Sequence, residues 1–519
     1  MSSSNRTDLP VTLDGATEWS GSLVETADGL LTLLNSQSEI RDELIRRTTH
    51  VSTYGGRPRM EGHWAIAYLL FMAGREPALL RWHRRTDTAI WRRCGFVDKP
   101  LYDTVHHHFA LLEDVSDAFR MVAANLIAKA VEGSGGMVGR DIHIDGTEAE
   151  THARLYHDCR PGETCSRARG HRHPSSSPSA KAPTPTAQQL RQEMAEEVPG
   201  QRPQLDIQQV GPSGRIQLSS GCWYRTADQT AGVRAYARSR GIQFWHGFNN
   251  MKAIDHYTGA VIATDTVNAS VNESDAYPNL LNSVIEHSGK IPRAVVGDRG
   301  FSLNSVYEMN TSMGIASVFP WRKHAPGQDR DTVGTDEYDQ HGIPLCQHCG
   351  APGAFQSFAA SPQPRLWFTC TACRRRGSVV CSKGWRFLVP LWRTSETYAA
   401  LRRSHSTTEK AHWRWRDQWL VAPDGPSNRP RRRGIGCQTL RAHGAMLIEW
   451  LLVCYREGWL GGRRRNPNRP RQQRAFEERR RLLRSRQRKG LHLPLARRGS
   501  HVAAIARAAA IARAARAGP

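Results

Sequence analysis

The 519-residue chain has no run approaching the roughly 18 apolar residues that span a bilayer. Its opening, MSSSNRTDLPVTLDG, lacks the apolar segment of a secretory signal. The nucleotide-cradling pattern G-x-x-x-x-G-K-S/T is missing too, since HSGKIP has no hydroxyl residue after its lysine. Acids are scarce: 48 Asp and Glu stand against 72 Lys and Arg, a formal net charge of +24. These absences argue against a membrane protein, a secreted protein and a P-loop NTPase. The expected location is the cytoplasm, where the 11 Cys stay reduced and serve metals more readily than disulfides.

What is present is a globular chain with a basic end. Hydrophobic residues make up 39%, with 15 Trp, enough for a sizeable core and several domains. From Arg463 onward the last 57 residues hold 18 Lys or Arg against two Glu, so +16 of the +24 lies there. Such an arm suits a polyanion through counterion release, and nucleic acid is the expected partner. A membrane-surface helix fits less well, because large apolar anchors are few among the arginines.

Along the chain, WAIAYLLFMAG, PALLRWHRR, TAIWRRCGF and DTVHHHFALLEDV place apolar residues at helical spacing, with Thr or Asp at expected N-caps. Short helices with arginine-rich faces suit a helix-turn-helix-like DNA-binding unit, and equally a plain packing domain. His106, His107 and His108 are consecutive, so on a helix they diverge and cannot share one ion. From 137 a strand begins, with Ile142 and Ile144 inward and His143 and Asp145 on the other face. A Pro-, Ser- and Ala-biased stretch then interrupts the pattern and reads as a flexible insertion. Cys159, Cys165, His171 and His173 at its start offer a second, weaker metal cluster.

GIQFWHGFNNMKAID and GAVIATDTVNAS form an expected hairpin across DHYTG. SDAYPNLLNSVIEHSG reads as a helix with a Ser cap and a Gly stop. RAVVGD is a buried strand, SLNSVYEMNTSMG a helix and IASVFPW another strand. A hairpin followed by parallel crossovers makes a mixed α/β sheet, which binds ligands at the carboxyl ends of its parallel strands. Asp145 and Asp298 fall at such ends. Each alone reads as a turn cap; together they suit shared Mg²⁺, a hard ion that takes oxygen ligands. Two ions ~4 Å apart would clamp both oxygens of an in-line phosphoryl displacement.

IDGTEAETH, YPNLLNSV and VVGDRGF resemble the catalytic core of DDE-type bacterial insertion-sequence transposases, whose fold is RNase H-like. GRPRMEGHWAIAYLLFMAG with PLYDTVHHHFALLE resembles the helical DNA-binding region preceding that core. The resemblance implies that Asp145 and Asp298 are the first two catalytic, metal-binding acids, and that the third is a Glu on a helix after the last strand. Within SETYAALRRSHSTTEKAHWRWRDQW that acid is Glu409, with Glu396 as runner-up and Asp265 as a less fitting substitute for Asp298. Arg402 and Arg416 flank Glu409 at seven-residue spacing, which sets all three on one face of a continuous helix. Tyr398 lies further from Glu409 than the family pattern has it, and Trp replaces several usual positions. The implied activity is metal-dependent cleavage and strand transfer at element ends, on element and target DNA, by a nucleoid-associated homo-oligomer without membrane contact. A catalytically inactive DNA-binding derivative of a transposase is the alternative, and a zinc-ribbon transcription regulator a third reading that the strand order disfavours.

Between the second and third acids lie CQHC and CTAC, with 20 residues between the pairs. That spacing belongs to zinc ribbons, and Cys346, Cys349, Cys370 and Cys373 are the expected structural Zn²⁺ ligands. A disulfide pair is the competing reading, and Cys381 a substitute ligand. The expected organisation is a disordered start (1–27), a helical DNA-binding region (28–135) and an RNase H-like core in three pieces (136–157, 231–335 and 385–460). A flexible insertion (158–230), a zinc-ribbon insertion (336–384) and a basic tail (461–519) complete it. Arg402, Arg416 and, in that tail, Arg463, Arg464 and Arg465 are taken as DNA contacts.

Overall fold

The computed structural model describes residues 23–49, 62–151, 155–157, 215–217, 223–226, 228, 230–238, 241–320, 337–339, 341–359, 365–380, 385, 391–419, 421 and 434–460. Its first part is helical: α1 (Leu23–Ser36), α2 (Ser38–Thr48), α3 (His63–Ala73), α4 (Leu79–Arg85), α5 (Thr88–Cys94), α6 (Tyr102–Leu111) and α7 (Asp117–Gly133). Helix α3 is apolar all round, and every residue from Trp64 to Ala73 is buried, as expected of a central helix. The Asp87 carboxylate accepts from the Ile90 N–H to start α5, and Gly95 ends it at φ 109°. His108 stacks on Trp64 with ring centres 4.4 Å apart, while His106 and His107 are exposed. The triplet is therefore one core residue and two surface ones.

The sheet follows. Strand β1 (Asp141–Glu150) comes first, then the short strands β2 (Leu155–His157), β3 (Arg215–Gln217) and β4 (Trp223–Thr226), which pair among themselves. Of these, β3 and β4 fall inside the stretch expected to be a flexible insertion. Then come β5 (Gly232–Arg238), β6 (Gly241–Asp255), β7 (Val261–Asn268), helix α8 (Glu273–Ser288), β8 (Ala294–Val296), helix α9 (Asn304–Ser312) and β9 (Ala316–Val318). The main order is β7-β6-β1-β8-β9, with β5 continuing beside the first half of β6. Strand β1 is antiparallel to β6 and parallel to β8, and β8 is parallel to β9. This hairpin-plus-crossover sheet is the expected mixed α/β core and is consistent with the RNase H-like fold. Helix α8 begins at Glu273 behind Asn272 rather than at a serine cap, and Gly289 ends it at φ 66° as expected.

Both faces of the sheet are covered, which suits the fully buried strands β8 and β9. Ala294 and Val296 pack with Leu391, Tyr398 and Leu401, whereas Val295 between them joins the main core. That main core runs unbroken from Leu30 in α1 through the sheet to the last described helix. The N-terminal helices thus share one hydrophobic interior with the mixed sheet.

Past β9 lies a small antiparallel sheet of β10 (Gly353–Ala359), β11 (Arg365–Cys370) and β12 (Arg376–Val380). One tight turn precedes β10 and a second joins β11 to β12, each closing just after its second cysteine on a left-handed residue, Gly350 at φ 70° and Arg374 at φ 61°. An arginine there costs about 1–2 kcal/mol that a glycine would not.

The chain then forms α10 (Glu396–Arg403), α11 (Ser406–Trp413), a π-helical turn at Arg414–Gln418, and α12 (Ile435–Glu457). The expected continuous helix through Arg402, Glu409 and Arg416 is therefore corrected. It breaks at Ser404–His405, where Ser404 bonds back to the Leu401 carbonyl, and it widens at 414. Seven-residue spacing does not align the three side chains. No helix among the described residues is long and apolar enough to cross a membrane.

Candidate active site

The parallel β1–β8 register pairs Ile142 with Val295 and His143 with Val296. Carried two residues on, it sets Asp145 level with Asp298. Asp298 lies just past the end of β8, but Asp145 is in mid-strand, since β1 runs on beside β6 to Glu150, which corrects the expected strand end at Asp145. Asp145 Oδ1 accepts from the Gly146 N–H at 2.8 Å, and Asp298 Oδ1 accepts from the Gly300 N–H at 2.7 Å. Each carboxylate therefore makes one local turn bond. The buried Asp255 shows what a purely structural acid does here. It accepts from the N–H groups of Gly139 and Thr258 and from the Thr258 hydroxyl, and so closes the β6–β7 turn. Asp141 is structural as well, held bidentately by Arg293 at 2.7 and 2.8 Å.

Burial, and then the negative charges of Glu273 and Asp298, push the Asp145 carboxyl above its ordinary range. Glu273, in the first turn of α8, is a fourth acid that the sequence reading missed. Asn249 Nδ2 donates to its Oε1 at 3.2 Å, and a Cβ on Gly300 would lie 3.0 Å from Asp298 Oδ1 and 3.6 Å from Glu273 Oε2. The two carboxylates thus flank one glycine. Asp265, on β7, is separated from β1 by the whole width of β6.

Around Asp145 the structure assembles a wall of buried nitrogen-bearing side chains. Lys252 is paired with it across the β1–β6 ladder and is fully buried. Its Nζ donates to the Thr147 hydroxyl and lies 5.1 Å from the centre of the Trp415 ring. Burial pulls the Lys252 ammonium below its ordinary range, while the Asp145 carboxylate acts in the opposite direction. His412 Nε2 lies 3.5 Å from Asp145 Oδ2, and its Nδ1 is 3.0 Å from the Thr147 hydroxyl. Burial, with Lys252 and Arg416 nearby, drops His412 to about 2, so the ring is neutral. Behind the acids, His143 Nε2 meets His256 Nδ1 at 3.0 Å. A lysine inside the apolar strand FNNMKAID was the available sequence signal for this wall.

Glu409 is exposed on α11. Its charge and that of Asp298 both act on His405, which places the three in one neighbourhood. Glu396 is exposed in the first turn of α10, behind the Ser395 cap. Arg402 donates to the Gly297 carbonyl at 2.8 Å, one residue before Asp298. Among the described residues, the four cysteines are the one group of three or more metal-binding side chains gathered within 4.8 Å, so Asp145, Asp298 and Glu409 stand further apart than that.

The cysteine group is closely set. Cys346 and Cys373 sulfurs are 3.6 Å apart, and those of Cys349 and Cys370 are 3.4 Å apart. Both separations are far longer than a disulfide and match the edges of a tetrahedron of thiolates around one ion. Backbone N–H groups of His348 and Cys349 draw the Cys346 thiol down, and that of Cys373 does the same for Cys370. At Cys373 the Arg375 N–H pulls the same way, but burial and the neighbouring sulfurs push the thiol up to about 11, because close-packed thiolates repel one another's charge. Cys381, the second cluster at Cys159, Cys165, His171 and His173, and the tail arginines Arg463, Arg464 and Arg465 lie outside the described residues.

Residues 223–422 match the family described as a transposase DDE domain. The chain therefore carries such a domain, spanning β4 to the π-helical turn and containing both Asp298 and Glu409. Strand β1 with Asp145 precedes the match in sequence, yet it sits between β6 and β8 in the sheet. No curated protein and no solved structure matches the chain.

Proposed function

We propose that this protein is an active DNA transposase, with Asp145, Asp298 and Glu409 as its catalytic, metal-holding acids. The observation that supports it most is the placement of Asp145 beside Asp298 just beyond the parallel β1–β8 pairing, completed by a strand outside the matched DDE domain. Hard carboxylate oxygens fit Mg²⁺, which when bound would stabilise charge on the reacting phosphate. The protein's own side chains supply the rest. Lys252 and Thr147 fix the Asp145 side of the site, and Arg402 holds the Gly297 carbonyl and so orients the turn bearing Asp298. Neutral His412 lines the Asp145 side of the site and holds the Thr147 hydroxyl.

The reaction is an exchange of phosphodiester bonds. Water breaks one at an element end and frees a 3′-hydroxyl, which then attacks target DNA, forming one bond as another breaks. No nucleotide is consumed. Four thiolates at tetrahedral spacing fit structural Zn²⁺. The helical region, Arg416 and the tail arginines Arg463, Arg464 and Arg465 serve to hold DNA, with copies of the chain pairing the two element ends in the cytoplasm.

The test is cleavage and joining of labelled element ends by purified protein with Mg²⁺ or Mn²⁺. Asp145→Asn and Asp298→Asn should each abolish both steps and leave DNA binding intact. Activity surviving in either variant overturns the reading, and inactivity of the unaltered protein on its own ends would favour a DNA-binding derivative.

A further inference from the structure

We propose that the outer face of the cysteine ribbon is a docking surface for the phosphate backbone of duplex DNA, contacted by Arg365, Arg374, Arg375 and Arg376. The choice of DNA rests on the transposase reading above; the surface itself rests on four observations. First, strand β11 alternates cleanly. Leu366, Phe368 and Cys370 are buried, and Leu366 and Phe368 form the ribbon's own small core, so Arg365 and Trp367 face the other way. Second, that outer face is organised around Trp367. The Arg365 guanidinium lies 5.5 Å and the Arg376 guanidinium 5.9 Å from its ring centre. Arg365 also donates to Ser378 Oγ at 3.0 Å and Arg376 to Gln356 Oε1 at 2.8 Å. Both forks are thus held in place with further N–H groups left over for a planar bidentate contact, which phosphate matches.

Third, the two cysteine turns differ in one informative way. The first closes on Gly350, the residue that a left-handed position favours, and the second closes on Arg374, which must be held there against its preference. The strained arginine opens an exposed run, Arg374, Arg375 and Arg376. Fourth, from Leu345 to Trp392 the sequence contains no Asp or Glu, while Arg365, Arg374, Arg375, Arg376, Lys383 and Arg386 are all basic. Even with the two net negative charges of a zinc–tetrathiolate centre, the segment remains cationic. It is inserted between β9 and α10, the elements that lead from Asp298 to Glu409. Trp367 acts here as a positioning residue, and the arginines are the contacts.

The experiment measures duplex binding by the full-length chain in an Asp298→Asn background, as a function of salt, with zinc content checked for each variant. Binding in that background does not require cleavage, so failure of the catalytic reading and failure of this one are separable. The triple variant Arg374→Gly, Arg375→Gln, Arg376→Gln should weaken binding to all sequences alike and reduce the slope of log K against log salt by about 2–3. Trp367→Ala should reduce it by less, and Trp367→Phe should restore most of it. An unchanged slope in a zinc-loaded triple variant overturns the proposal. Should the triple variant lose zinc, Arg374→Gly alone decides, since it relieves the backbone while removing one charge. A slope lower by about 0.9 supports the surface, and an unchanged one overturns it. Weakened self-association with unaltered DNA binding would also overturn it, by making the face a protein interface.

Discussion

Lys252 stands directly across the β1–β6 ladder from Asp145, fully buried, with its ammonium on the Thr147 hydroxyl and beside the Trp415 ring. Burial works against the Lys252 charge and lowers its ammonium to about 7, while the carboxylates of Asp145 and Glu449 pull the other way. The pair ties the acid's position to the second strand of the sheet. Lys252→Met keeps the length of the side chain and removes that tie. Strand cleavage should fall ~10–100-fold, the range for losing a residue that orients a metal ligand, with duplex binding unchanged. Cleavage at the unaltered rate would show the lysine to be a passive filler.

The cysteine group predicts about one zinc per chain by metal analysis of protein prepared without chelators. Cys349→Ser combined with Cys373→Ser takes one sulfur from each close pair and should release it. Zinc-free protein with four free thiols would refute the ribbon assignment.

Much of this architecture was legible in the sequence. The strand through DIHID, the strand ending before Asp298 in VVGD, the DHYTG hairpin and the Gly289 stop are local signals, and local chemistry decided them. Spacing alone also identified the four cysteines. Two features were not legible, because they depend on contacts between distant segments. The helix carrying Glu409 breaks at Ser404–His405, where Ser404 Oγ bonds back to Leu401 and also meets His143, 261 residues away in sequence. Glu273 reads as an ordinary helix-start acid until α8 packs on the sheet and turns its first turn toward Asp298.

Helix α12 is tied to the sheet by one buried acid. Glu449 Oε1 accepts from Arg414 Nε at 3.0 Å and its Oε2 from the Val261 N–H at 3.0 Å. Both charged side chains are largely withdrawn from water, at 4% and 12% exposure. Glu449→Ala strands the arginine and should cost about 3–5 kcal/mol in urea unfolding. Glu449→Gln keeps the Val261 bond and should cost less. Equal losses would mean that the ion pair contributes little.

His443 sets a pH dependence. Burial lowers it from an ordinary 6.5 to about 4, and its ring lies 3.1 Å from the Ser116 carbonyl, which accepts from the neutral ring's Nδ1–H. The native state therefore binds fewer protons than the unfolded chain between about 6.5 and 4, so stability is complete above 6.5 and declines as pH falls through that window. His287 and His412 shift in the same direction. Melting curves from pH 7.5 to 4.5 should fall less steeply in His443→Gln than in the unaltered chain. Parallel curves would assign the acid sensitivity to other groups.

The third acid is decided by comparing three neutral amides on a pre-cut element end. Glu409→Gln should remove joining altogether, because the reading makes it a direct metal ligand beside Asp298. Glu396→Gln should remain active, since that residue is exposed in the first turn of α10, thirteen positions upstream. Glu273→Gln should fall between them. Asn249 still holds the amide in place, but one negative charge beside Asp145 is gone. Joining should drop ~10–100-fold and recover partly at higher Mg²⁺ concentration, as expected when a group near the ligands is altered. The Glu409 exposure makes this a demanding test. The three carboxylates do not all lie within 4.8 Å of one another, so they must draw together to share one ion, and α11, bounded by the break at Ser404–His405 and the π-helical turn at Arg414, is an element able to shift Glu409. Full activity in Glu409→Gln together with complete loss in Glu273→Gln would move the third acid to the head of α8 and leave α11 with a DNA-holding role.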